Sequence, residues 1–233
     1  ARQTEPALGG QVGTAIRIRD QRYLDPATFV HALAKSVRER GGRIREDVEV
    51  ADLPSPEDRL IIGGEEYDAV GLATGARLTH LAHRLGVRRR VQAGRGYSFT
   101  VKIDDVPQGP VYFPTQRVAC TPVGDRLRVA GMMEFRDVAA PADHRRIRAL
   151  VDSAGVLLHG AHLEEREDEW VGARPCTADG LPLVGATRDP RIYLAGGHGM
   201  WGITLGPVTG KLLAEQIATG STPEALLTVN PLR

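Results

Sequence analysis

Apolar residues recur along this chain at two different spacings, and each spacing predicts an element. Val30, Leu33, Ala34 and Val37 fall at i, i+3, i+4 and i+7, the period of one helical face. Asp25 can cap that segment and Pro26 suits a first helical turn, so a helix is expected over Pro26–Arg40, ended by Gly41-Gly42. A second helical stripe, Ile147, Leu150, Val151, Ala154, Leu157 and Leu158, predicts a helix over Ala142–Leu158. A third helix is expected over Gly202–Thr219, turning Leu205, Val208, Leu212 and Leu213 inward. Between the helices lie short β-type runs, Arg43–Leu53, Arg59–Ile62, Tyr67–Ala73 and Arg191–Ala195. From Tyr97 to Phe135 the segments SFTVKI, PVYFPT, RVACTPV and RLRVAGMMEF alternate with Pro, Gly and Asp turns, the texture of an antiparallel sheet. The second helix would lie on that sheet. The fold class this implies is α/β (α+β), with a mixed, mainly antiparallel sheet beside an α/β layer.

Composition narrows the class of function. The chain has 233 residues, 42% of them hydrophobic, enough to bury a core. Thirty basic and 29 acidic residues give a formal charge of +1, and no long run of one sign suggests a nucleic-acid surface. A small molecule is the expected partner. The two cysteines, Cys120 and Cys176, are far apart, which fits neither a disulfide framework nor a zinc ribbon and favours a reducing, cytoplasmic compartment. No apolar run approaches the roughly 20 residues of a membrane span, so a membrane association would be peripheral, at an inner face. The start ARQTEPALGG has no initiator Met and is no secretory signal, and the expectation is that a longer protein has been cut.

Gly197-His198-Gly199-Met200-Trp201-Gly202 matches G-x-G-x-x-G after a strand and at a helix start. The dinucleotide fingerprint also needs a second parallel strand carrying an acidic residue about 20 positions on, and the chain offers none there. The physical content remains: glycines admit a ligand to the backbone, and a helix start favours something electron-rich. The plainer alternative is a packing turn.

With Gly172-Ala173-Arg174-Pro175 leading into Thr177-Ala178-Asp179-Gly180-Leu181-Pro182, then Gly197–Thr204, and with the strand end Ala73-Thr74-Gly75, the chain resembles the FAD-dependent amine oxidoreductases. That family includes D-amino acid dehydrogenase, D-amino acid oxidase, glycine oxidase and sarcosine oxidase, the first being most similar. The resemblance implies a discontinuous FAD-binding domain, here 21–88 and 166–233 without its amino-terminal βαβ unit, and a substrate domain, 1–20 and 89–165. It implies oxidative deamination of a small D-amino acid, glycine or an imino acid by hydride transfer from Cα to flavin N5. A sarcosine-type oxidase of N-methyl amino acids is a second reading. A third is a non-enzymatic fragment or subunit needing a partner chain that carries the missing FAD-binding unit.

Residue by residue, the resemblance implies that Arg174 binds the substrate carboxylate, with Tyr112 and Tyr97 near the substrate and Met132 as a weaker candidate. Gly197, His198, Gly199, Met200, Trp201, Gly202, Ile203 and Thr204 correspond to the loop that approaches the flavin ring, where the helix start would face the charge that reduction leaves. Val50, Ala73, Thr74 and Gly75 correspond to positions beside the FAD adenosine. No catalytic base is assigned, since the amine enters neutral. The pairs His80/His83 and His159/His162 have helical i, i+3 spacing, but no further ligands accompany them and no metal site is expected.

Overall fold

A computed structural model describes residues 1–55 and 58–233. In chain order its elements are α1 (Pro26–Glu39), β1 (Ile61–Ile62), β2 (Glu65–Glu66), β3 (Val70–Leu72), α2 (Leu78–Ala82), β4 (Val91–Lys102), β5 (Val111–Phe113), β6 (Val118–Val123), β7 (Arg126–Phe135), α3 (His144–Leu157), β8 (Glu167–Thr177), β9 (Leu183–Ala186), β10 (Ile192–Gly196), α4 (Gly202–Thr219) and α5 (Glu224–Leu227). The chain forms two compact units. One comprises Ala1–Ala32, Arg95–Glu134 and Ala139–Gly172, the other Leu33–Gly94, Phe135–Val138 and Ala173–Arg233.

The first unit is built on the sheet ordered β5-β6-β7-β4-β8, with β5, β6 and β7 antiparallel as the turn-punctuated sequence predicts. Phe99, Val101, Val118, Cys120, Leu127 and Val129 supply its buried side, and α3 covers them with Ile147, Leu150, Ala154 and Leu157. Asp143 caps α3 by accepting the Arg145 N–H at 3.0 Å. The helix stops at Leu157 because the chain turns extended there to meet the amino-terminal segment. Gly9 N–H donates to the Leu157 carbonyl and His159 N–H to that of Ala7. His159 and His162 therefore follow the helix instead of sharing a face of it, and His162 Nε2 lies 2.8 Å from Asp104 Oδ1.

The second unit holds the sheet ordered β3-β10-β9, with β3 parallel and β9 antiparallel to β10. Leu72, Leu183, Ile192 and Leu194 pack with Leu78, Leu85, Val87 and Val91. Helix α4 has the expected bounds, and Leu213 is buried with Leu212 packed beside it and Leu205 partly buried as expected, but Val208 is exposed and Thr209 and Gln216 are buried instead. The two buried polar side chains are tied by hydrogen bonds, His198 Nε2 to Thr209 Oγ1 at 2.9 Å and Gln216 Nε2 to Thr222 Oγ1 at 2.8 Å.

The expected strand over 43–53 does not form. A strand needs a ladder partner, and the charged side chains there turn elsewhere, Arg43 to Glu65 at 2.6 Å and Arg38 to Glu46 at 2.8 Å. Arg59–Ile62 contributes only the hairpin strand β1, closed by Gly63 and Gly64 at φ 57° and 85°.

Candidate functional site

The parallel register Val70↔Ile192, Gly71↔Tyr193 and Leu72↔Leu194 makes β3 and β10 end at the same edge of their sheet. Ala73-Thr74-Gly75 and the Gly197–Thr204 loop, distant in sequence, therefore leave from one place. The carboxyl ends of parallel strands are where open α/β sheets bind ligands. Gly75, Gly197 and Gly199 adopt φ of 58°, 76° and 55°, a region that side chains resist. A Cβ on Gly197 would also stand 2.9 Å from Thr177 Cγ2, whereas Gly199 faces open space. Met200 and Trp201, in a 3-10 turn (Gly199–Trp201), are 67% and 60% exposed, so the loop presents apolar surface that this chain leaves uncovered.

His198 joins the loop to α4 through Thr209, and burial lowers its pKa, favouring the neutral ring. On its other side the loop meets β8: Cys176 and His198 form an isolated antiparallel bridge. Arg174 precedes Cys176 by two residues on the same strand, so the two side chains leave from the same face, about 7 Å apart along it. The guanidinium is half-buried, and desolvation draws its pKa down, opposed by charge at Cys176. Arginine remains protonated at any working pH.

The turn after β8 is held by a residue that no local pattern had marked. Arg233 donates to Asp179 Oδ2 at 3.1 Å, to the Leu181 carbonyl at 3.1 Å and to the Pro182 carbonyl at 3.0 Å. Thr177 Oγ1 closes the same turn on the Leu181 carbonyl at 2.8 Å.

Tyr112 and Tyr97 belong to the other unit. Tyr112 sits on β5 with its side chain exposed. Tyr97 is buried in β4, donating its hydroxyl proton to Glu134 Oε2 at 2.7 Å and accepting the Asp143 N–H at 3.2 Å. Met132 has φ 68° inside β7 and packs against the core. Two residues before Tyr97, Arg95 is also buried; Nη2 donates to the Pro141 carbonyl at 3.1 Å and Nη1 is unsatisfied. A charge in the apolar run R-G-Y-S-F-T-V was the available signal for it. Val50 lies exposed in the unpaired 43–53 stretch. Burial raises the Cys120 thiol to about 12, so it acts as a small apolar core residue, and both cysteines are free. Among the described residues, no group of three or more His, Cys, Asp or Glu could hold a metal ion, and no helix is long and apolar enough to cross a membrane.

The two glycine turns at one sheet edge fit a nucleotide-type cofactor, and the comparisons agree on which. A model described as FAD dependent oxidoreductase matches residues 1–216, and the chain belongs to that family of flavoenzymes. It is 36% identical to D-amino acid dehydrogenase of Allorhizobium ampelinum over 239 aligned positions, covering 94% of this chain and 55% of the relative. Its identity to D-amino acid dehydrogenase of Paramagnetospirillum magneticum is 30% over 225 positions, covering 92% and 53%. Glycine oxidase from Bacillus cereus has a similar fold, with a TM-score of 0.84 at 23% identity, over 97% of this chain and 65% of that one. The chain thus spans about half the length of the curated relatives it matches.

Proposed function

We propose that this chain supplies the carboxyl-terminal part of an FAD-dependent enzyme that oxidatively deaminates a small D-amino acid, glycine or an imino acid. The observation that carries the reading is the convergence of Ala73–Gly75 and Gly197–Thr204 at one sheet edge, with the Arg174 strand bridged to that loop. The second unit, with Ala73, Thr74, Gly75 and the glycine loop, is the cofactor side, and the first unit, with Tyr112 and Tyr97, the substrate side. FAD, when bound, supplies the two-electron acceptor for the hydride leaving Cα. Arg174 holds the substrate carboxylate through its planar fork and so orients Cα. The amino terminus of α4 and the glycine N–H groups give the loop a partial positive field suited to an electron-rich ring. The pyrophosphate grip comes from outside these residues, on a further segment or a partner chain. Helix α1 supports that requirement, since it buries none of its residues and leaves Val30, Leu33 and Val37 52%, 49% and 45% exposed.

Steady-state kinetics of the flavin-loaded enzyme test the reading. Losing one member of a desolvated charge pair costs about 2–5 kcal/mol, so Arg174→Ala should lower kcat/KM for D-alanine by roughly tens- to thousands-fold with flavin retained. Lysine should rescue it only in part. Equal losses on D-alanine and on ethylamine, which has no carboxylate, would remove Arg174 as the anchor. In the same enzyme Gly202→Val should reduce flavin content while the chain keeps its fold, because the nearest atom to an added Cβ is His198 Cβ at 4.0 Å. Full flavin content in that variant would make the loop a packing turn.

A further inference from the structure

We propose that a cavity in the second unit, beside the 3-10 turn His83–Leu85, binds a phosphate group, either of a free phosphorylated compound or of a lipid headgroup. The cavity measures about 340 Å³ and is lined by Arg88, Arg89 and Arg90 from the loop entering β4 and by Arg188 from the turn between β9 and β10. That volume lies within the roughly 300–1,000 Å³ of small-molecule sites. Among the described residues no acidic side chain lines it.

Its walls are fixed by the core rather than by the arginines themselves. Val87 and Val91 are both buried, so the three arginines between them bridge two anchored points and must stand at the surface. Thr79 clamps the far end, its Oγ1 donating to the Val91 carbonyl at 3.1 Å and accepting the Val91 N–H at 2.7 Å. The opposite wall is pinned by the Arg188 N–H, which donates to the Leu85 carbonyl at 3.1 Å. The Arg188 side chain lies directly over Gly86, whose φ is 82°. A Cβ there would sit 2.4 Å from Arg188 Cδ, so the glycine serves both the turn and the placement of the arginine.

Local carboxylates do not neutralise this charge. The nearest to Arg89 is Asp179, at 3.9 Å, and it already pairs with Arg233 at 3.1 Å. Asp189, next to Arg188, is held by Arg191 at 2.8 Å. Among the described residues no carboxylate comes within 4.0 Å of Arg88, Arg90 or Arg188 in an ion pair. Gathering guanidinium groups without counter-charge is unfavourable, and an anion with several oxygens relieves it. Each planar fork can grip two of those oxygens, which suits a phosphate better than a single carboxylate. The cavity is separate from the glycine-loop edge. Arg188 precedes the start of β10 and the loop follows its end, five residues at about 3.3 Å each, or roughly 16 Å along the strand.

Calorimetric titration of this chain with sodium pyrophosphate tests the proposal and needs neither flavin nor turnover, so its outcome is independent of the oxidoreductase reading. Saturable binding at one site is expected. Arg188→Ala, and separately the pair Arg88→Ala with Arg90→Ala, should each weaken it about tenfold or more, with Arg188→Lys intermediate. Arg19→Ala with Arg22→Ala, exposed arginines outside the cavity, should leave it unchanged. Sedimentation with phosphatidylcholine vesicles, with and without phosphatidic acid, separates the sources. Capture that requires phosphatidic acid and is lost in Arg188→Ala assigns a lipid phosphate, and pyrophosphate binding without capture assigns a free compound. Binding unchanged in every cavity variant, or no saturable binding to either probe, overturns the proposal.

Discussion

Helices α1 and α3 are written in the same way and used in opposite ways. Each has 14 residues, an aspartate at its start and an apolar stripe at helical spacing. Helix α3 buries Ile147, Leu150, Ala154 and Leu157 against the five-stranded sheet. It packs so closely that a Cβ on Gly131 of β7 would meet Leu150 Cδ1 at 2.8 Å. Helix α1 buries nothing, and the stretch that follows it keeps Ile44, Val48 and Val50 exposed without a ladder partner. An amphipathic pattern encodes a face and leaves open whether anything in the same chain covers it.

The largest effect expected from that contrast is on stability. Leu150→Ala should cost about 2–5 kcal/mol, the range for opening a cavity in a packed core, while Leu33→Ala should change stability by no more than about 0.5 kcal/mol. Denaturant melts of the two variants check this. A large loss for Leu33→Ala in the isolated chain would mean that α1 is packed in solution and would break the comparison. A loss for Leu33→Ala that emerges only when the flavin-gripping unit is supplied would sharpen it.

A smaller difference should appear in acid. The Arg145 guanidinium, followed by its backbone N–H, holds the Asp143 carboxyl at about 2, below its ordinary 3.8. Asp25 is lowered as well, first by the Thr28 hydroxyl at 2.6 Å and then by the Ala27 N–H. A carboxyl with a depressed folded pKa contributes stability above its unfolded value, and that contribution is lost as pH falls through 3.8 toward the folded value. The Asp143 cap should therefore weaken between about pH 4 and 2, and the Asp25 cap as pH falls below its ordinary 3.8. Because α3 is part of a core, Asp143→Asn should flatten the acid limb of the melting temperature. Asp25→Asn should alter only helical content by circular dichroism. Equal shifts in melting temperature from the two substitutions would show that α1 unfolds together with the core.

Much of this was legible in the sequence. The helix spanning Pro26–Glu39, the helix His144–Leu157, the antiparallel run from β5 to β7 and the glycine loop entering α4 were all expected from spacing and turn chemistry, whereas the Asp143 cap was not. These features are set within a few residues, by backbone geometry, caps and side-chain periodicity, so local text specifies them. The family motifs around Arg174 and Gly197–Thr204 were legible for the same reason, as compact runs of unusual residues.

What tertiary structure alone decided is which distant pieces meet and which faces are covered. Only the parallel pairing of β3 with β10 brings Ala73–Gly75 to the glycine loop, and only the Cys176–His198 bridge brings the Arg174 strand there. Arg88–Arg90 and Arg188 are unremarkable surface arginines in the sequence; folding closes them around one cavity. Strand 43–53 failed for the converse reason, because β propensity cannot form a ladder without an edge to pair with. Burial and pairing depend on partners far along the chain, and periodicity carries no information about them.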